Sequence, residues 1–377
     1  MEGRRVVLLL CAIAAIGVST LASGQLRAAP ALGTIANSPA RTASVNKAAY
    51  DARMLALANV PPRASCVAPE ALASEPSGPA QEPRDAAYHA VTFITKAAGA
   101  RPCPAALWPV RGVYPDAGAL LPFRRIVAYY GNFYSPRMGV LGEYPPGKVL
   151  EMLKSAAAAW AKADPSTPVV PALDYIAVSA QGVPGRDGMY RMRMPPSQIE
   201  KAISMADQIH GLLFLDVQPG WSTVRIEVPR LAPYLKLPNL ELALDPEFAL
   251  TRGKRPGAWI GTMSAAEIDF AAQFLAKIVE QNHLPPKILV VHRFTQDMVT
   301  DFRAIEPLPQ VEIVMDMDGF GSRPLKVSTY KDFISSQPVQ FTGFKLFYIN
   351  DVKSGGHLMA PARVLALSPR PIYIVYQ

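Results

Sequence analysis

The segment Leu244-Asp245-Pro246-Glu247-Phe248 has the residue types and the spacing for acid–base chemistry. Side chains two residues apart on a strand share a face, so we expect Asp245 and Glu247 to point the same way. Clustered carboxyl groups repel one another when ionised, and a raised pKa on one of them relieves that repulsion. The product is a protonated acid beside a carboxylate, which is the pair that glycosidic cleavage needs.

The preceding apolar run repeats this spacing with Asp216 and Gln218. In this interpretation Glu247 is the general acid, and Asp245 or Asp216 is the nucleophile, the base or a stabiliser of charge. The same residues would also suit a helix cap or a structural hydrogen-bond network, and the spacing does not separate these uses.

Eight short apolar runs, most of them followed by a helical stretch, predict the elements that position these groups. Near-continuous apolar strands suit a parallel sheet covered on both faces, and eight such units in residues 122–377 predict a (β/α)8 TIM-type barrel. An open doubly wound sheet is the alternative, although no Gly-x-Gly-x-x-Gly follows the first run. The runs are residues 126–130, 169–176, 211–216, 240–245, 287–292, 311–316, 344–349 and 371–376.

Helices are predicted between these runs. Ser264 followed by Glu267 forms a capping-box pattern at the start of one of them. The clearest helices are residues 147–163, 197–210 and 264–282, and the shorter candidates are residues 299–305, 330–335 and 361–367.

In such a barrel the catalytic groups lie at the carboxyl ends of the strands, so the polar residues that follow each run are candidate site residues. His292 could shuttle protons or be a hydrogen-bonded structural residue. Lys345 could form a Schiff base or an ion pair, and Asp318 could belong only to the turn before Gly319. The candidate substrate-binding residues are Tyr130, Asn132, Asp174, Gln218, Trp221, His292, Asp316, Asp318, Lys345, Tyr348, Asp351 and Tyr376.

A secreted barrel whose fourth strand ends in Asp-x-Glu resembles the lysozyme-like muramidases and related glycoside hydrolases. The resemblance implies that Asp245 and Glu247 are the catalytic pair, and it rests on the barrel layout and this motif. The proline between the acids and the absence of a chitinase-type Asp-x-x-Asp-x-Asp-x-Glu run are departures from those families. As a whole, the chain resembles an uncharacterised family of secreted bacterial barrels.

The first 121 residues differ in composition from the rest. A basic start and the apolar run of residues 6–18 predict a signal peptide over residues 1–24, and hence a secreted or extracytoplasmic protein. Residues 25–121 are rich in Pro and Ala and predict a partly ordered leader, with possible helices at 45–57 and 85–98. We expect the second helix to dock across strands eight and one. Cys66 and Cys103 could form one disulfide or remain two thiols.

The ligand expected at the carboxyl ends of the strands, the mouth of the barrel, is a glycan. Residues 131–147 and 181–195 follow strands and supply aromatic and arginine side chains, which suit an anionic or N-acylated polysaccharide such as peptidoglycan. The net charge of +8 is spread thinly, so nucleic acid is not an expected partner. We expect a monomer that needs no cofactor. The alternatives are a metal-dependent enzyme that holds Mg2+ through Asp216, Asp245, Glu247 and Asp316, and a non-catalytic barrel that binds glycan or protein.

Overall fold

The computed structural model describes residues 45–60, 107–110, 112–353 and 356–377. Eight parallel strands form a closed barrel in which each strand pairs with the next and β8 pairs with β1. The predicted (β/α)8 barrel is therefore confirmed. The strands are β1 (Arg125–Gly131), β2 (Val169–Ala180), β3 (Leu212–Val217), β4 (Leu240–Leu244), β5 (Lys287–Arg293), β6 (Val311–Met317), β7 (Phe341–Leu346) and β8 (Tyr373–Tyr376).

Alternation along each strand separates the inside of the barrel from its outer wall. In β1, Ile126, Ala128 and Tyr130 pack within the barrel, whereas Val127 and Tyr129 belong to the layer between the strands and the helices. This two-residue period decides which side chain at each strand end faces the barrel axis.

Helices surround the barrel, and the three clearest predicted helices begin and end within three residues of the predicted bounds. Ser264 precedes α7, and its backbone N–H donates to Glu267 Oε2 at 3.0 Å, as the capping-box pattern predicts. Within the described ranges, no helix is both long enough and apolar enough to cross a bilayer. The helices are α1 (Lys47–Ala58), α2 (Val140–Glu143), α3 (Pro146–Ala163), α4 (Pro196–Asp207), α5 (Val224–Glu227), α6 (Ala232–Leu235), α7 (Ala265–Asn282), α8 (Arg323–Tyr330) and α9 (Pro361–Val364).

Three element predictions were wrong in part. The helix predicted at 330–335 begins at Arg323, and its predicted residues form the end of that helix and a π-helical turn at Lys331–Ser335. Strand seven begins three residues earlier than predicted and ends at Leu346, because Thr342 and Gly343 interrupt the apolar pattern that marks the other strands. Residues 299–305 form a short strand and a single 3-10 turn instead of a helix.

The amino end of the barrel is closed by α1, which lies in the segment predicted as leader. Tyr50 and Met54 of this helix pack with the residues inside the barrel. Leu57 O accepts a hydrogen bond from Arg370 N at 2.7 Å, which ties the helix to the chain just before β8. The predicted signal peptide, the possible helix at 85–98, and Cys66 and Cys103 lie outside the described residues, so the docking of that helix across strands eight and one stays a prediction.

We expect Met54→Ala to lower the free energy of unfolding by about 2 kcal/mol, because Met54 is buried and its removal leaves a cavity under the barrel. Urea unfolding measures the change. Leu55→Ala is the matched control, since Leu55 is 67% exposed on the same helix and should change stability by less than about 0.5 kcal/mol. Equal effects of the two substitutions would contradict the packing of α1 against the barrel.

Candidate active site

The carboxyl end of the barrel holds a dense group of charged and polar side chains. They come from all eight strands or from the residues directly after them, and most are buried. The alternation of the strands points these side chains inward, above an apolar layer that includes Ala128, Phe214 and Val290. We call this group the mouth cluster: Tyr130, Asp174, Asp216, Gln218, Asp245, Glu247, His292, Asp316, Asp318, Lys345 and Tyr373.

One side of the mouth cluster is a hydrogen-bonded chain that starts at β1. The Tyr130 hydroxyl donates to Asp216 Oδ2 at 2.6 Å. Gln218 Nε2 donates to the Tyr130 hydroxyl at 3.0 Å and to Asp245 Oδ2 at 3.3 Å. Because Ala180 N also holds Gln218 Oε1 at 3.0 Å, the orientation of the amide is fixed. Gln218 therefore connects the two carboxyl groups that share its face of the barrel.

His292 lies between two carboxylates at the centre of the mouth cluster. Its Nδ1 is 3.0 Å from Asp316 Oδ2, and its Nε2 is 3.6 Å from Asp174 Oδ2. The Tyr373 hydroxyl donates to the same Asp174 oxygen at 2.8 Å. Burial would lower the pKa of His292, but the two carboxylates outweigh it and hold the pKa well above its ordinary value. The imidazole is therefore positively charged at neutral pH.

Lys345 supplies the second positive charge. Its Nζ is 3.0 Å from Asp318 Oδ1 and lies 3.6 Å from the centre of the Tyr130 ring. Burial would lower the pKa of this lysine, but the neighbouring carboxylates Asp318, Asp245 and Asp316 raise it above its ordinary value. Lys345 thus remains charged, and no Schiff base is expected from a lysine in that state.

Glu247 is the half-buried carboxyl of the mouth cluster. It lies on the 3-10 turn Pro246–Phe248, directly after β4, and its carbonyl accepts a hydrogen bond from Gly261 N at 2.6 Å. Asp174, Asp216 and Asp316 are fully buried. Of these carboxyls, Glu247 is therefore the one most open to a ligand.

Four carboxyl groups of the mouth cluster have raised pKa values: Asp216, Asp245, Glu247 and Asp316. Burial is the largest cause in each case. It raises the pKa of Asp216 to about 7, with Asp174 adding to the shift. The pKa of Asp245 rises to about 8, with Asp216 contributing, and that of Glu247 rises to about 8, with Asp245 and Asp318 contributing.

These shifts follow from the balance of charge. Six carboxyl groups share the mouth cluster with the two cations His292 and Lys345. Full ionisation would leave a large negative charge in a site from which water is mostly excluded, so some of the acids must hold protons. The arrangement can therefore keep Glu247, the carboxyl most open to a ligand, protonated at neutral pH.

The structure leaves four of the sequence-predicted site residues outside the mouth cluster. Tyr348 and Tyr376 pack against each other on the outer side of the barrel, and Tyr376 accepts a hydrogen bond from Trp160 Nε1 at 2.8 Å. Asn132 donates to Ile176 O at 2.9 Å and so fixes the loop after β1. Asp351 pairs with a buried lysine, Lys326, at 3.0 Å and fixes the loop after β7.

Trp221, a fifth candidate, lies on a loop at the mouth. Its indole N–H donates to Lys254 O at 2.6 Å, and its ring packs on Tyr190 at 4.2 Å. It is half-buried and borders the mouth cluster without joining its hydrogen bonds.

Two of the arginines expected to bind a substrate carboxylate, Arg191 and Arg193, are already paired. Arg191 Nε contacts Glu227 Oε1 at 2.8 Å, and Arg193 Nε contacts Glu227 Oε2 at 2.6 Å. Glu227 is fully buried, so these pairs hold the loop at 181–195 in place. Arg186, in the same loop, is exposed.

Sequence reasoning missed Tyr373. This residue is the first of β8, and the candidates were taken from the carboxyl ends of the strands. The alternation of β8 carries the missing signal, since Tyr373 and Val375 both lie on the inner face.

The residues that the structure describes contain no group of three or more acidic, histidine or cysteine side chains arranged to hold a metal ion. Within the mouth cluster, Lys345 and His292 occupy the positions next to Asp318 and Asp316 where a cation would be expected.

No family model and no curated protein matches the chain. Solved structures do match: a ruminal GH26 endo-β-1,4-mannanase at 12% identity and a TM-score of 0.33, over 67% of this chain and 58% of that one. The Bacillus subtilis mannanase man26 matches at 11% identity and a TM-score of 0.35, over 71% of this chain and 88% of that one. Plasmodium falciparum HPPK-DHPS matches at 8% identity and a TM-score of 0.32, over 70% of this chain and 47% of that one. The chain therefore spans little more than half of the ruminal mannanase, and values this low assign neither a family nor an activity.

Proposed function

We propose that the protein is a glycoside hydrolase-like enzyme that cleaves a polysaccharide with Glu247 as its general acid. The observation that carries the proposal is a half-buried carboxyl at the barrel mouth whose pKa is raised to about 8, beside the ion pair of Asp318 and Lys345. From the amino-terminal sequence we also propose that the enzyme is exported and acts in the cell envelope or outside the cell.

In this proposal Glu247 donates its proton to the leaving glycosidic oxygen. A carboxyl with a pKa near 8 is protonated at neutral pH, so the acid is ready before the substrate binds. Burial is the largest cause of the raised pKa of Glu247, and the neighbouring carboxyls Asp245 and Asp318 add to it. The chain of Gln218, Tyr130 and Asp216 behind Asp245 holds the repelling carboxyl in place.

Asp318 supplies the complementary negative charge. Its carboxylate is held by Lys345 at 3.0 Å and is 8% exposed, whereas Asp216 is fully buried under Tyr130. An ionised carboxylate close to the mouth can stabilise the oxocarbenium-like transition state of glycoside cleavage. We therefore assign this task to Asp318. Asp245 contributes to the raised pKa of Glu247, and Asp216 contributes to that of Asp245.

A non-catalytic glycan-binding barrel is the second candidate. The observation that favours it is the complete burial of Asp174, Asp216, His292 and Asp316, each 0% exposed, which is what a purely structural network would also show. The two candidates make opposite predictions about product formation.

We expect the enzyme to release reducing ends from at least one of a panel of neutral and acidic polysaccharides. The rate should be steady as the pH rises from about 6 to 7.5 and should fall by up to about tenfold per pH unit above pH 8, because the protonated fraction of Glu247 falls through its pKa of about 8. Reducing-end assays across pH 5 to 10 measure this profile. Tight binding of a panel member without product would favour the second candidate. A rate that increases through pH 8 would contradict the role of Glu247 as the acid.

A further inference from the structure

The chain that leaves Glu247 forms a loop at the barrel mouth before it enters α7. Gly261 N donates to Glu247 O at 2.6 Å, and Thr262 N donates to Ala249 O at 3.0 Å, so the two arms of the loop are tied together at its base. Leu250 N donates to Gly220 O at 3.0 Å, which fixes one arm to the neighbouring loop. The position of this loop is therefore coupled to the backbone of the candidate acid.

The tip of this loop, residues 251–259, carries a concentration of positive charge, and we call it the basic loop. Arg252, Lys254 and Arg255 are all exposed. The sequence contains no Asp or Glu between Glu247 and Glu267. Within residues 112–353 and the other described ranges, none of the three cations forms an ion pair. Their charge is thus available to a ligand.

An exposed tryptophan lies among these cations. Trp259 is 55% exposed, and Lys254 Nζ is 5.5 Å from the centre of its ring. The basic loop is also anchored from the other side, since Lys254 O accepts the hydrogen bond from the Trp221 indole at 2.6 Å. Tryptophan is enriched at binding interfaces, because its large apolar ring also carries a polar N–H.

We propose that the basic loop is a substrate subsite for an acidic polysaccharide that carries uronate carboxylates. The face of a sugar ring would stack on Trp259, and the carboxylates of that ring and its neighbours would pair with Arg252, Lys254 and Arg255. This inference rests on the proposed function and defines its substrate class. Because the loop begins next to the turn that carries Glu247, a chain bound on it extends toward the candidate acid.

The pairing of charge with an aromatic face selects this occupant. A neutral glycan would leave three cations unmatched, and an acidic peptide would not need the exposed face of Trp259. The loop at 181–195 adds the exposed Arg186. Its one acid, Asp187, is already paired with Arg191 at 2.7 Å. The charge around the basic loop therefore remains positive.

The test measures the dissociation constants of the Glu247→Gln protein, in which we expect no cleavage during the measurement. The probes are polygalacturonate and its fully methyl-esterified form, which have the same backbone and differ in charge. We expect polygalacturonate to bind at least about tenfold more tightly at low salt, and the preference to shrink as salt screens the charges.

Two variants separate the contributions of the ring and the charges. Trp259→Ala should weaken binding of both polymers by about tenfold, since both have sugar rings that stack. The combined change Arg252→Gln, Lys254→Gln and Arg255→Gln should remove the preference for polygalacturonate and leave the weaker binding of the ester. The matched control is Lys154→Gln, Lys277→Gln and Lys331→Gln, which removes the same charge from exposed lysines outside the basic loop and should keep the preference.

The results that would overturn the subsite differ from those that would overturn the proposed function. Equal binding of both polymers, equal loss in the control, or equally tight binding of single-stranded DNA or poly-L-glutamate would overturn the subsite. Binding of polygalacturonate through the basic loop by a wild-type protein that hydrolyses nothing would support the subsite and contradict the proposed function. Hydrolysis of a neutral glycan by a protein that binds both polymers equally would support the proposed function and contradict the subsite.

Discussion

Glu247→Gln should lower the rate of polysaccharide hydrolysis by about 10²- to 10⁴-fold at pH 6, because the amide keeps the shape of the side chain but has no proton to donate. The fall in rate above pH 8 should disappear with the group that causes it. Substrate affinity should change little, since the variant removes no stacking or charge contact of the basic loop. Steady-state kinetics on the polymer, with kcat and KM determined separately, measure these effects.

An activated substrate distinguishes an acid from a residue that only supports the fold. A nitrophenyl glycoside has a leaving group that departs without protonation, so its hydrolysis should fall much less in Glu247→Gln than that of the polymer. Glu280→Gln, an exposed change on α7, is the matched control and should leave both rates unchanged. Equal losses on the two substrates would remove Glu247 from the role of acid and indicate a structural defect.

Most of the mouth cluster could be predicted because barrel geometry relates position in the sequence to position in space. Asp216, His292 and Asp316 each end an apolar run, and parallel strands bring those ends to one edge. The prediction needed only the position of the strand end, and errors of one or two residues at a strand boundary did not change it.

Tyr348 and Tyr376 show where that reasoning stops. Strand seven ends at Leu346, so Tyr348 lies beyond it. Tyr376 does belong to β8, but Val375 faces the inside of the barrel and Tyr376 therefore faces the helices. The sequence marks where a strand ends more clearly than which face its last residue takes, because a shift of one residue reverses the face.

Pairing across long sequence separations could not be predicted either. Arg191 and Arg193 appear free in the sequence, yet Glu227 lies 36 and 34 residues further along and pairs with both. The size of the pKa shifts could not be predicted from the sequence either. Burial is the largest cause of the shift at Asp216, Asp245 and Glu247, and burial follows from the closed barrel. Residue types showed which groups could titrate, and the packing of the barrel determined the direction.

Lys345→Met should destabilise the protein by about 3 to 5 kcal/mol at pH 8, because it removes one partner of a buried ion pair and leaves Asp318 without its cation. Lys345 also lowers the pKa of Asp216, Asp245 and Glu247, so its loss raises all three. The stability of the protein should therefore depend on pH. These acids have folded pKa values above their unfolded ones, so the folded state binds more protons and stability falls as the pH rises toward the folded values. The loss should therefore be smaller at pH 5, where Asp216, Asp245 and Glu247 hold their protons and no longer repel the unpaired Asp318. Urea unfolding at both pH values measures the difference.

Two further variants test whether lost charge, and not lost packing, causes the destabilisation in Lys345→Met. Lys331→Met, an exposed change, should leave stability within about 0.5 kcal/mol of the wild type at both pH values. Asp318→Asn in the Lys345→Met background should restore part of the stability at pH 8 and little at pH 5, since it removes the carboxylate left unpaired. A loss of the same size at both pH values, with no recovery from Asp318→Asn, would mean that Lys345 stabilises the barrel through its contact with the Tyr130 ring. In that case the charge balance proposed for the mouth cluster would not hold, and the raised pKa of Glu247 would rest on burial alone.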